Sequence, residues 1–223
     1  MTQQRSLFDI IGPMMVGPSS SHTAGAARLG KLAGAILGAQ PVQARITLHG
    51  SFATTGRGHG TDLALVAGLL GCAPDDPRIR DAYALAAERG MQVEMAEADY
   101  GEVHPNTARL ELTAADGTKM LVQGSSLGGG DVVVTLVNDF PVKITGELPV
   151  LLVVHRDQPG VVAAVTALLA GALINIAGMQ VARERRGALA LMLIATDEPV
   201  IAEVAGAVSA IEGVTRVRQV PAV

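Results

Sequence analysis

The chain has 223 residues and a net charge of −4, with 49% apolar against 17% charged residues, a balance that builds a core, and a length that suits two domains. Three Phe, two Tyr, no Trp and no basic run leave that core to Ala, Val, Leu and Ile and exclude a nucleic-acid reader, which needs a positive surface and rings to stack on bases. A single cysteine, Cys72, excludes an internal disulfide framework and a Cys-ligated zinc or iron–sulfur site made by this chain alone.

The opening residues, MTQQRSLFDIIG, hold one Arg and no long apolar run, which is not the pattern of a secretory signal; a cytoplasmic protein is expected. Residues 1–146 read as a mixed α/β domain rich in Gly/Ser/His loops. Helices are expected over Ala24–Ala39, Thr61–Leu70 and Arg78–Gly90, and strands over Val42–Ser51 and Val93–Ala98. Thr107–Ala115 and Thr118–Gln123 flank Asp116-Gly117, a hairpin signal, and Asp131–Val137 adds a further strand. The Thr145-Gly146-Glu147-Leu148-Pro149 junction reads as a linker.

Residues 147–223 form the second predicted domain. Val150–His155 suits a buried strand, and Asp157-Gln158-Pro159 opens a helix that ends near Gly171. Strands Leu173–Ala182 and Ala188–Thr196 follow around the charged turn Arg183–Gly187. A helix from Pro199 to Glu212-Gly213 and a strand Val214–Val220 complete the order βαββαβ, the ferredoxin-like plan. Gln158–Ala182 carries no charge, but Gly171, Asn175, Gly178 and Gln180 interrupt it. A buried helix and strand explain it better than a membrane span.

The reactive side chains gather in four loops. Gly17-Pro18-Ser19-Ser20-Ser21-His22-Thr23-Ala24-Gly25 runs into a helix, as does Thr54-Thr55-Gly56-Arg57-Gly58-His59-Gly60-Thr61-Asp62. Hydroxyls and free N–H groups at such a helix start hold carboxylates or phosphates. The third loop is His104-Pro105-Asn106-Thr107, with Arg109 beyond it; the fourth, Gly124-Ser125-Ser126-Leu127-Gly128-Gly129-Gly130-Asp131, suits an anion nest. One Ser/Thr cluster before a helix is an N-cap. Three imidazole-bearing loops beside a Ser/Gly loop point instead to a small-anion site able to move protons near neutral pH. His22, His59 and His104 lack the spacing of zinc-binding His pairs. No phosphate-loop or dinucleotide-binding fingerprint occurs.

These loops carry a resemblance. Ser6-Leu7-Phe8-Asp9-Ile10-Ile11-Gly12-Pro13, Gly17–Thr23, Gly56–Asp62, His104–Thr107 and Ser125–Gly130, in that order, resemble the β chain of the iron–sulfur-dependent L-serine dehydratases (L-serine ammonia-lyases). His155-Arg156-Asp157-Gln158-Pro159-Gly160 and Asn175-Ile176-Ala177 resemble an ACT domain, an amino-acid-sensing module. Ala195 departs from the acidic residue expected in relatives and bears on effector response alone. The resemblance implies an α+β fold, with an allosteric-substrate-binding-like domain, as in some phosphoglycerate dehydrogenases, followed by an ACT domain.

It further implies a lyase of amino-acid catabolism and gluconeogenesis that converts L-serine to pyruvate and ammonia. A partner α chain would hold a [4Fe–4S] cluster whose iron acts as a Lewis acid on the serine hydroxyl. Ser20, Ser21, His22, Thr23, His59, Thr61 and Asp62 would form the catalytic set, and Asn106, Thr107, Arg109, Ser125 and Ser126 would position substrate. Asp157, Gly160, Asn175 and Ile176 would bind an effector, L-serine first among candidates, in a homo-oligomer joined through the ACT domain. Which group, and on which chain, removes the α-proton stays open at this stage. The competing reading is a non-catalytic regulatory protein that senses an anion or amino acid.

Overall fold

The computed structural model describes residues 14–223; the segment Ser6–Pro13, part of the resemblance, lies outside the described residues. The chain divides into two compact units, one ending at Thr135 and the other beginning at Leu136. The division falls inside a strand, eleven residues before the Gly146/Glu147 boundary expected from Gly and Pro punctuation.

In the first unit a six-residue π-helical turn, Ser20–Gly25, leads into α1 (Ala26–Leu37). Strand β1 (Pro41–Leu48) is followed by α2 (Gly50–His59) and α3 (Thr61–Leu69). A short 3₁₀ turn, Pro77–Asp81, precedes α4 (Ala82–Glu88). Then come β2 (Gln92–Glu97), β3 (Thr107–Ala114), β4 (Lys119–Gly128) and β5 (Asp131–Val137), which runs across the division, and β6 (Phe140–Ile144) follows beyond it. The sheet order is β2-β1-β3-β4-β5-β6, with β1 parallel to β2 and antiparallel to β3.

Two helices build most of the core. In α1, Ala26, Leu29, Ala33, Ile36 and Leu37 are buried, at the three- and four-residue spacing of an inward helix face. Every residue of α3 from Ala64 to Leu69 is buried, as expected of a helix that is apolar all round. The two helices approach closely because neither carries a side chain at the contact. A Cβ on Gly30 would lie 2.2 Å from the Leu65 carbonyl oxygen, and one on Gly68 would lie 2.1 Å from that of Ala27.

The second unit contains β7 (Val150–Arg156), α5 (Val161–Gly171), β8 (Ile176–Arg183), β9 (Leu189–Thr196), α6 (Ala202–Ser209) and β10 (Val214–Val220). Its sheet order, β10-β7-β9-β8, with antiparallel neighbours, is the expected ferredoxin-like arrangement. Leu151, Val153, Met192 and Ile194 of the central strands close on Val161, Val165, Leu169 and Val208 of the two helices. Among the described residues no helix is long and apolar enough to cross a membrane.

Candidate active site

The segment Gly50–His59, expected as a strand end and a loop, is a helix. Its Gly and Thr content disfavours helix, and three local features offset that cost. Thr54 and Thr55 donate their hydroxyls to the carbonyls of Gly50 and Ser51, one turn back. Phe52 is wholly buried and anchors the first turn. Gly60, at φ +68°, then turns the chain from α2 into α3 in a conformation other residues rarely adopt.

Helical spacing puts Ser51, Thr55 and His59 along one side of α2, where they meet His22 of the π-helical turn. His22 Nε2 lies 3.2 Å from Ser51 Oγ and 3.0 Å from Thr55 Oγ1. The His22 and His59 ring centroids are 4.9 Å apart, and Phe52 packs edge-on against His22 at 5.3 Å. The π-helical turn itself is fixed from both ends. Ser19 Oγ accepts from the His22 N–H at 3.1 Å, and Thr23 Oγ1 donates to the His59 carbonyl at 3.1 Å. Such single π turns in otherwise regular helices recur at functional sites.

The hydrogen bonds assign the tautomers. The His59 Nδ1–H donates to the Thr55 carbonyl at 3.0 Å, so the neutral ring leaves Nε2 bare. Thr55 directs its one O–H to the Ser51 carbonyl at 2.9 Å, so His22 Nε2 is the donor to Thr55 Oγ1, leaving Nδ1 bare. Burial lowers the His22 pKa below its ordinary value, and the nearby His59 lowers it further, against a hydrogen bond that the ring donates to the Ser51 backbone, which raises it. The first two loops therefore meet as a pair of imidazoles, the His22 ring favoured in its neutral form.

The third and fourth loops join beside them. Ser125 and Ser126 lie on strand β4, where an irregular loop was expected. Thr107 Oγ1 donates to the His104 carbonyl at 2.6 Å and accepts from Ser125 Oγ at 2.7 Å. Asn106 and Ser126 exchange two bonds: the Ser126 N–H donates to the Asn106 carbonyl at 3.0 Å, and Asn106 Nδ2 donates to the Ser126 carbonyl at 3.4 Å. The Phe52 N–H donates to the Pro105 carbonyl at 3.3 Å, tying the third loop to α2. The fourth meets the π-helical turn, where a Cβ on Gly25 would lie 2.0 Å from Ser126 Oγ. Ser20 and Ser21 are half-buried, and their hydroxyls have no hydrogen-bond partner among the described residues.

Four expected site residues are placed differently. Thr61 is fully buried at the α2–α3 corner, its Oγ1 about 3.3 Å from a Cβ built on Gly56. Asp62 accepts from the Tyr83 phenol at 3.1 Å, away from the hydrogen bonds of the imidazole pair. Arg109 lies on β3 with its guanidinium 5.6 Å over the Tyr100 ring. Thr23 is buried and holds the backbone of His59. Conversely, Ser51 and Thr55, the hydroxyl partners of His22, were not among the expected site residues. Their spacing with His59, four residues each, becomes legible only once the segment is read as helix.

In the second unit, the Asp157 carboxylate takes the Arg183 guanidinium at 3.0 Å and the Gly187 N–H at 3.1 Å, and these bonds hold its pKa below the ordinary value. Gly160, at φ +94°, caps the start of α5. Asn175 donates to Asp197 at 2.7 Å. Asp157 follows β7 beside Ala188, whereas Asn175 and Ile176 sit at the other end of the same sheet, beside Asp197 and Thr196. A seven-residue strand spans about 20 Å, so one effector does not touch both ends within one chain.

Comparison with known proteins accords with this arrangement. The serine dehydratase beta chain model matches residues 6–93, and the ACT domain model matches residues 149–213. The probable L-serine dehydratase beta chain of Bacillus subtilis (strain 168) is 45% identical over 194 residues, covering 87% of this chain and 88% of that one. The L-serine dehydratase beta chain of Peptoniphilus asaccharolyticus is 35% identical over 216 residues, covering 96% and 97%. The D-3-phosphoglycerate dehydrogenase of Synechocystis sp. (strain ATCC 27184 / PCC 6803 / Kazusa) is 31% identical over 177 residues, which are 77% of this chain but 31% of that protein. The chain belongs to the L-serine dehydratase beta-chain family and carries an ACT domain.

Proposed function

We propose that this chain is the β subunit of a cytoplasmic L-serine dehydratase that deaminates L-serine to pyruvate and ammonia with an α chain holding a [4Fe–4S] cluster. The cluster does not fit this chain. Its one cysteine, Cys72, is buried, and among the described residues no group of three or more His, Cys, Asp or Glu is placed to hold a metal ion. The cluster is therefore assigned to the partner, and no step here is drawn through it.

The imidazole pair carries the proposal. Loss of the α-proton and the hydroxyl from L-serine, one water in all, gives an enamine. Its imine form takes up a water and releases ammonia and pyruvate. In this reading His59 Nε2, bare in the neutral ring, accepts the α-proton. The Ser20 and Ser21 hydroxyls hold the substrate carboxylate at the start of the π-helical turn. Thr23, Asn106, Thr107, Ser125 and Ser126 act as positioning residues, because their hydrogen bonds fix the backbone around those groups. Replacing His59 by Ala in the two-chain enzyme lowers turnover at least tenfold, the scale of general-base loss, while co-elution of the chains is unchanged. Near-normal turnover contradicts the assignment.

The proposal extends to the second unit, with L-serine as effector in a homo-oligomer. Because Asp157 and Asn175 lie at opposite ends of one sheet, an effector that uses both residues is shared between two copies.

A further inference from the structure

Helix α2 has a second working side. Ala53 and Arg57, four residues apart, lie on the opposite side of the helix from Ser51, Thr55 and His59. They line a cavity of about 440 Å³ within the first unit. The cavity sits at the carboxyl ends of the parallel pair β1 and β2, where Leu48 and Glu97 are register partners. Crevices at the carboxyl ends of parallel strands are the usual ligand position in α/β sheets, and this volume is within the range of small-molecule sites.

Its lining has two chemistries. Leu48, Ala53 and Met95 supply an apolar wall, while Arg57, Asp62, Glu97 and the Tyr83 phenol supply polar groups of both signs. Arg57 and Glu97 are exposed, and their side chains make no hydrogen bond or ion pair among the described residues. Asp62 uses Oδ2 for the Tyr83 hydroxyl, and among the described residues no bond is made to its Oδ1. Burial, followed by the Asp62 charge, pushes the Tyr83 pKa up to about 12, so the phenol stays a donor.

We propose that this cavity binds a free α-amino acid with an aliphatic side chain, its carboxylate on Arg57, its ammonium between Asp62 and Glu97, and its side chain against Leu48 and Met95. Separated charges of both signs select a zwitterion, and the apolar wall selects an aliphatic body. Occupancy also bears on His59. The α2 sequence is intrinsically a weak helix former, so a ligand that fastens Arg57 stiffens the same helix that holds His59.

The test titrates the purified full chain with L-leucine by calorimetry and follows amide exchange over residues 51–60. The proposal expects saturable binding with slowed exchange in that segment. It expects at least tenfold weaker binding for 4-methylpentanoate, which lacks the ammonium, and for 3-methylbutylamine, which lacks the carboxylate. Arg57→Gln and the cavity-filling Ala53→Phe each weaken L-leucine binding at least tenfold, whereas Asn175→Ala in the second unit leaves it unchanged. Because Arg57 is exposed, its variant keeps the fold even where Ala53→Phe does not. Absence of binding, or binding that survives Arg57→Gln or is lost in Asn175→Ala, overturns the proposal. None of these outcomes depends on serine turnover.

Discussion

His22 is the residue on which burial, charge and hydrogen bonding meet. Its Nε2 is spent on Thr55 and Ser51, and its depressed pKa makes the neutral ring the favoured form in the folded chain at pH 7. The sign of the pH effect follows from that shift. A group whose folded pKa lies below its unfolded value of 6.5 stabilises the fold fully above pH 6.5, and this stabilisation is lost as pH falls through the folded value. The wild-type chain should therefore lose more stability between pH 7.5 and pH 5 than the His22→Asn variant does, read by urea unfolding. Equal losses in the two proteins contradict a half-buried His22 that is neutral in the folded chain. The four His and Ser/Gly loops were recognisable in sequence by residue type alone. Which side chains face inward was not, because Thr61 and Asp62 are adjacent in the chain yet one is fully buried and the other bonds Tyr83.

At the level of elements, the α1–α3 contact controls where the π-helical turn is held. Gly68→Ala has two opposed effects. Replacing Gly by Ala in a helix gains about 1 kcal/mol of propensity. Here the new Cβ would lie 2.1 Å from the Ala27 carbonyl oxygen and 2.8 Å from the Lys31 backbone nitrogen, neither of which can rotate away. Overpacking of this kind costs about 1–3 kcal/mol and more where backbone must move. A net loss of at least about 1 kcal/mol in urea unfolding is expected, and a gain in stability contradicts the close contact. The long elements α1 and α3 were legible because their apolar spacing or continuity is unambiguous. Helix α2 was not, since its Gly and Thr content argues against helix and its support comes from Phe52 and the threonine back-bonds. Strand β6 was also missed. Its burial alternates over Phe140–Ile144, but Pro141 interrupts the pattern, which is tolerated because β6 is the edge of its sheet.

Over the whole molecule, the ferredoxin-like unit was legible as βαββαβ from alternating apolar runs and turn residues, and the sheet order β10-β7-β9-β8 follows from that plan. Its effector residues were named in sequence without the knowledge that Asp157 and Asn175 occupy opposite ends. The lone buried Cys72 is the feature with the widest consequence, because any iron–sulfur cluster then needs ligands from outside these 223 residues. Anaerobic purification of the tagged chain from its native cells, with the eluate assayed for L-serine-dependent pyruvate formation, tests this most directly. The account predicts activity that co-elutes with a second, iron-bearing, cysteine-rich chain. A lone, iron-free and inactive chain, from cells whose dehydratase activity survives the procedure, would contradict it.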